Sequence, residues 1–114
     1  MKVVSRIFGM GFVALAMILA LNGGASAAEK TPAKQITIDN FSFGEAVATV
    51  PVGTRVTWVN HDDIPHTVTS EDRTTFRSKP LDTDDTFSFT FDKAGNYKYF
   101  CSIHPKMTAQ IVVR

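Results

Sequence analysis

The sequence is short of cysteine and of long charged runs, and both shortages limit what the chain can be. Its single cysteine, Cys101, cannot form a disulfide within the chain, although small exported domains often rely on cysteine pairs. Beyond Lys2 and Arg6, 10 basic residues stand against 11 acidic ones, with neither sign gathered into a long run. This balance makes nucleic acid and anionic membranes poor candidates as partners.

The N-terminal segment has the pattern of a secretory signal peptide. Lys2 and Arg6 precede an uncharged apolar run from Ile7 to Leu21, and a small-residue stretch ends at Ala27. The run is shorter than the roughly 20 residues that cross a bilayer. We therefore expect residues 1–27 to be a cleavable signal helix and residues 28–114 to be one domain. We expect that domain to be exported to the periplasm and to have no membrane contact after cleavage.

After the signal segment no stretch shows helical periodicity over ten residues. Short apolar-alternating segments such as "QITIDNFSF", "TFSFTF" and "GNYKYFC" are separated by Gly, Pro, Asn or Asp. In the first of these, the alternation changes phase by one residue at Asn40, as in a strand with a bulge or bend, before Phe41 and Phe43. Regularly spaced short strands predict an all-β sandwich, with Trp58 and the Phe-rich faces supplying the core.

The candidate site lies in "YFCSIHPKM". Cys101, His104 and Met107 follow one another at three-residue intervals, and Met107 is the only methionine after residue 27. Taken singly, each has an ordinary explanation, such as a core thiol, a surface histidine or a gap-filling methionine. Together, in a turn that Pro105 stiffens, they predict a metal site.

A fourth donor must come from elsewhere, and "NHDDIPHTVTS" offers two histidines. His66 follows Pro65 and begins a β-branched run, whereas His61 lies in a polar loop and is expected to be exposed, so we choose His66. One thiolate, two imidazoles and a weakly bound thioether favour copper that cycles between Cu(I) and Cu(II). Zinc gains little from a thioether.

These residues resemble those of the type 1 blue copper proteins, the cupredoxins. "PHTVTS" followed by "YFCSIHPKM" carries the resemblance, and the two-residue gap between His104 and Met107 is similar to that of the amicyanin group. The resemblance implies a cupredoxin-like Greek-key β-sandwich. It also implies one copper per chain, held by His66, Cys101, His104 and Met107.

The resemblance further implies a one-electron carrier that shuttles electrons through the exposed edge of His104. We expect redox partner proteins to dock on an apolar patch around His104, formed by Ile103, Pro105 and Met107 with Ile64 and Pro65. The protein is expected to be a monomer. A periplasmic copper carrier or scavenger using the same ligands is the alternative. An enzyme is not expected, because only His61 would remain for a second copper site.

Two positions depart from the family pattern. Ile103 stands where amicyanins carry proline, so its backbone N–H could donate to the Cys101 sulfur and raise the reduction potential. Thr67 stands where relatives often carry asparagine. Its backbone N–H is still expected to reach the sulfur, with a weaker side-chain bond between the loops.

Overall fold

The computed structural model describes residues 31–114, whose strands form two four-stranded sheets. The first sheet has the order β2-β1-β4-β6 and the second the order β3-β8-β7-β5. In chain order the strands are β1 Ala33–Asp39, β2 Ser42–Phe43, β3 Val47–Val50, β4 Thr54–Asn60, β5 Thr69–Ser70, β6 Thr86–Phe91, β7 Gly95–Phe100 and β8 Thr108–Val113. The predicted all-β sandwich is confirmed. The predicted signal peptide lies outside the described residues.

The core forms where the alternating apolar faces of the two sheets meet. Its largest fully buried side chains include Trp58 and Tyr99, and the Trp58 Nε1–H donates to the Tyr99 hydroxyl at 3.1 Å. Phe76 and Phe91 pack against Trp58. Burial raises the pKa of Tyr99 well above its ordinary value, and the Trp58 hydrogen bond opposes this only in part. The predicted core role of Trp58 is confirmed.

Strand pairing brings the two predicted ligand segments to one end of the sandwich. Strands β7 and β8 are antiparallel neighbours, with Phe100 opposite Thr108, so residues 101–107 form a closed loop between them. Asn60 ends β4 before the segment that carries His66, and its side-chain amide donates to the carbonyls of Ile64 and Leu81, each at 2.9 Å. Within residues 31–114, no helix is long and apolar enough to cross a membrane.

Candidate metal centre

Three of the four predicted ligands present their donor atoms to one point. The potential ligand atoms of His66, Cys101 and His104 all lie within 4.8 Å of one another. The Cys101 Sγ lies 3.7 Å from the Nδ1 of His66 and 3.7 Å from the Nδ1 of His104. Both imidazoles therefore turn the same ring nitrogen toward the sulfur.

These separations fit a shared metal ion. Thiolate sulfur and imidazole nitrogen bind a first-row ion such as zinc at about 2.3 and 2.0 Å. With angles between tetrahedral and trigonal at the ion, such bonds leave sulfur and nitrogen roughly 3.5 to 3.8 Å apart. Both 3.7 Å distances lie in this interval. The donor set of one thiolate and two imidazoles, with a methionine in the same loop, is the set that suits copper.

Backbone hydrogen bonds hold the loop from Cys101 to Met107 in a closed form. The His104 N–H donates to the Cys101 carbonyl at 3.1 Å, and the Met107 N–H donates to the His104 carbonyl at 2.9 Å. The Cys101 N–H then donates to the Met107 carbonyl at 3.0 Å, which closes the loop. Met107 is buried and lines the same groove as His104. The three-residue spacing in the sequence is thus the spacing of successive hydrogen-bonded turns.

His66 is fully buried and fixed through both its backbone and its ring. Its backbone exchanges two hydrogen bonds with Leu81, and its Nε2 lies 2.7 Å from the Asp62 carboxylate. With the proton on Nε2 donated to Asp62, Nδ1 is left as the free lone pair facing Cys101. His61, by contrast, is exposed and outside the donor group, as expected from the sequence.

The sulfur of Cys101 is buried and accepts a backbone hydrogen bond. The Thr67 N–H donates to Sγ at 3.3 Å, as predicted from the sequence. Among residues 31–114, the Ile103 N–H is not a donor to this sulfur, so the condition for its predicted effect on the potential is not met. Neutral N–H donors stabilise the charged thiolate more than the thiol.

The Thr67 hydroxyl joins the two ligand loops. Its Oγ1 accepts the Ser102 N–H at 2.7 Å and lies 2.9 Å from the Ser102 Oγ. The Thr69 hydroxyl lies 3.1 Å away on the other side. Thr67 therefore supplies the side-chain bond between the loops, and its weakness relative to an asparagine bond stays a prediction.

Asp62 is a functional candidate that sequence reasoning missed, since it stands in a polar "HDD" run. Its carboxylate accepts the N–H of Asn40 at 2.6 Å and of Phe41 at 3.0 Å, in addition to the His66 ring. Burial acts to raise the pKa of Asp62, but the hydrogen bonds from Phe41, His66 and Asn40 outweigh it and lower the pKa to about 2. The group is a carboxylate at neutral pH.

Phe41 is the second residue that sequence reasoning missed. The alternation predicts that it shares a face with Phe43, yet Phe43 is buried and Phe41 is 54 % exposed. The reason is a two-residue turn between β1 and β2, in which Asn40 and Phe41 have φ of 53° and 57°. A left-handed conformation costs a side chain such as phenylalanine about 1–2 kcal/mol. The phase change at Asn40 in the sequence was the only available signal.

The surface beside His104 is apolar. Phe41 and Ile103 are the large apolar side chains exposed there, at 54 % and 44 %. They line one groove together with His104, Pro105, Lys106 and Met107. Ile103, Pro105 and Met107 of the predicted patch thus line this groove, although Met107 is largely buried. Phe41, which the sequence did not place in the patch, lines it too, whereas Ile64 and Pro65 do not.

Comparison with known proteins supplies the family. A family model described as a cupredoxin-like domain matches residues 11–113. The chain belongs to the cupredoxin family. It is 33 % identical over 95 residues to amicyanin of Paracoccus versutus, which covers 76 % of this chain and 70 % of that protein. It is 29 % identical over 119 residues to amicyanin-alpha of Methylorubrum extorquens, covering 93 % and 95 % of the two chains.

Solved structures show the same likeness for this cupredoxin. A purple cupredoxin from Nitrosopumilus maritimus superposes with a TM-score of 0.68 at 36 % identity, covering 71 % of this chain and 99 % of that one. An oxidised amicyanin variant also gives 0.68, at 28 % identity over 77 % and 88 %. The predicted family and its similarity to amicyanin are confirmed. Other amicyanin structures are copper(I) forms, and the expected copper cofactor agrees with the donor group found here.

Proposed function

We propose that the protein is a one-electron carrier with a single copper ion, bound by His66 Nδ1, His104 Nδ1 and Cys101 Sγ with the Met107 thioether as a weak fourth ligand. The observation that carries this proposal is the pair of 3.7 Å distances from the Cys101 sulfur to the two imidazole nitrogens. Copper, when bound, supplies the exchange between its cuprous and cupric states.

The protein's part is to keep its donors in one arrangement whichever oxidation state is present. Cys101 and His66 are fully buried, and hydrogen bonds fix the backbone on both sides of the site. The Thr67 N–H supports the sulfur, and Asp62 orients the His66 ring. Donors held in this way need little rearrangement when an electron arrives or leaves.

In this proposal, His104 is the ligand through which electrons pass to a docked redox protein. It is half-buried and lines the same groove as Phe41, Ile103 and Pro105, which form the apolar patch. A small apolar patch suits brief contact with a larger redox protein, because weak and wet interfaces dissociate quickly. We assign the carrier a monomeric state and, from the signal-like residues 1–27, a place in the periplasm. Secretion with loss of those residues, measured by mass spectrometry of exported protein, tests the location.

The metal assignment is tested by adding Cu(II) to the purified domain and recording visible and EPR spectra. We expect an intense thiolate-to-copper band at one copper per chain. The band should vanish in Cys101→Ala and survive in His61→Ala, which removes the one histidine outside the site. Colour that persists in Cys101→Ala would contradict the assignment.

A second measurement separates an electron carrier from the copper carrier or scavenger that the sequence left open. The hydrogen-bonded loop, with Cys101 and Met107 buried at its two ends, predicts rapid electron self-exchange and slow transfer of Cu(I) to a competing chelator. Fast metal loss with slow electron exchange would favour copper delivery.

A further inference from the structure

The turn between β1 and β2 places Phe41 in an unfavourable backbone conformation with its apolar side chain exposed. Phe41 has a left-handed backbone and remains 54 % exposed, so neither conformational preference nor core packing accounts for its placement. Asparagine or glycine is the usual choice at such turn positions. Strained residues of this kind are concentrated at functional sites.

The Phe41 ring lies against both imidazoles of the donor group. Its centroid is 5.6 Å from that of His66 and 5.2 Å from that of His104, and its plane is nearly perpendicular to both, at 87° and 88°. The two imidazole centroids are themselves 5.0 Å apart. Phe41 therefore spans the gap between the two rings on their solvent side.

One carboxylate holds this arrangement together. Asp62 accepts the backbone N–H groups of Asn40 and Phe41, and it also binds the Nε2 of His66. The same side chain thus fixes the orientation of a ligand ring and the turn that presents Phe41. Asp63, its neighbour in the sequence, is exposed and makes none of these contacts.

We propose that Asp62 and Phe41 act as one positioning unit, in which Asp62 locks the turn so that the Phe41 ring covers the pair of imidazoles and keeps small anions from the metal. The inference rests on the proposed function, since it takes His66 and His104 to be ligands. Its consequence is that the site exchanges electrons with proteins docked outside it but does not bind small molecules at the metal. Phe41 is thereby a determinant of specificity.

Phe41→Gly is a sharp test because glycine relieves the left-handed strain while it removes the ring. The relieved strain opposes the added chain entropy and the lost ring contacts, so we expect this variant to fold with a stability close to that of the unaltered protein. Azide is the probe, titrated into the Cu(II) protein and followed by visible and EPR spectra. The azide affinity should rise at least about tenfold in Phe41→Gly. Phe41→Tyr keeps a ring on the same strained backbone and should exclude azide as the unaltered protein does.

Asp62→Ala tests whether the Asp62 carboxylate keeps the Phe41 ring in place over the two imidazoles. It should admit azide as Phe41→Gly does, whereas Asp63→Ala should not. In the copper-free protein, ¹⁵N NMR should show the Nε2–H form of His66 in the unaltered protein and in Asp63→Ala, and a mixture of ring tautomers in Asp62→Ala. A purely structural loss of stability would not change azide affinity and tautomer together.

The outcomes separate a failure of the Asp62–Phe41 proposal from a failure of the proposed copper electron carrier. If the unaltered protein lacks the thiolate-to-copper band, the proposed function is wrong and the cover with it. If the band is present but Phe41→Gly binds azide no more tightly than the unaltered protein, the cover alone is overturned. Equal azide affinity in Asp62→Ala and Asp63→Ala would overturn the role of Asp62.

Discussion

Replacing Thr67 by valine removes one hydroxyl from the contact between the two ligand loops while nearly preserving the shape of the side chain. In the protein, Thr67 Oγ1 accepts the Ser102 N–H at 2.7 Å and contacts the hydroxyls of Ser102 and Thr69 at 2.9 and 3.1 Å. Thr67 is buried, so the valine methyl leaves no cavity. What is lost is the acceptor for a backbone donor.

The size of the effect follows from that unpaired N–H. A buried donor without its partner costs about 1–3 kcal/mol. We expect the lower half of that range, because Ser102 is exposed at its side chain and water can partly replace the lost acceptor. For a domain of this size, each 1 kcal/mol lowers the melting temperature by about 4–8 °C. Thr67→Val should therefore melt roughly 4–16 °C below the unaltered copper-free protein.

The assay is chemical and thermal unfolding of the copper-free protein, with Ser102→Ala as the matched control. That variant removes the second hydroxyl but keeps the Ser102 N–H and its Thr67 acceptor, so its stability should change by less than about 0.5 kcal/mol. The backbone N–H of residue 67 still donates to the Cys101 sulfur in Thr67→Val, so the copper protein should keep its colour. Equal stability of Thr67→Val and Ser102→Ala would refute the reasoning.

Three further predictions concern the ligand loop, the core and a surface turn. Met107→Leu should retain copper but raise the reduction potential measured by voltammetry, by about 59 mV for each tenfold loss of relative Cu(II) affinity; an unchanged potential would exclude Met107 as a ligand. Tyr99→Phe leaves the buried Trp58 Nε1–H unpaired and should lower the unfolding free energy by about 1–3 kcal/mol in urea titrations. Hydrogen bonds from Ser70 and other donors hold the pKa of Asp72 below its ordinary value. The stabilising effect of the Asp72 carboxylate should therefore be complete above about pH 4 and decline as the pH falls through the folded-state pKa. The difference in melting temperature between the unaltered protein and Asp72→Asn should shrink in acid. A difference that stays constant with pH would contradict this.

The strands and the loop from Cys101 to Met107 were accessible from sequence because both depend on short-range patterns. Two-residue alternation assigns the faces of the strands, and turn residues separate them. The spacing of Cys101, His104 and Met107 matches the hydrogen-bonded turns that close their loop. The β-branched run that begins at His66 indicated an extended backbone, and His66 pairs with Leu81 as a strand residue would.

The bonds that tune the site were less accessible, because they join segments far apart in the chain. Thr67 reaches Ser102 across 35 residues, and the strength of that bond depends on the distance between two loops. The same limit applies to Ile103, whose N–H could be recognised as a spare donor from the absence of proline. Where that N–H points depends on the turn geometry, and in residues 31–114 the sulfur's backbone donor is Thr67.

The positions of Asp62 and Phe41 follow from a register that no local pattern specifies. Strands β1 and β4 are parallel, and their pairing ends with Ile38 opposite Asn60. Because the C-terminal ends of neighbouring parallel strands lie at the same end of the sheet, the turn after β1 and the loop after β4 begin side by side. A slip of the pairing by one residue would turn the side chains of β1 to the opposite face and move Asn40 away from Asp62. The contact between the Asp62 carboxylate and Phe41, 21 residues earlier, therefore depends on the register of β1 and β4. Burial of one face of these strands fixes that register, and the register in turn places the Phe41 ring over the two imidazoles.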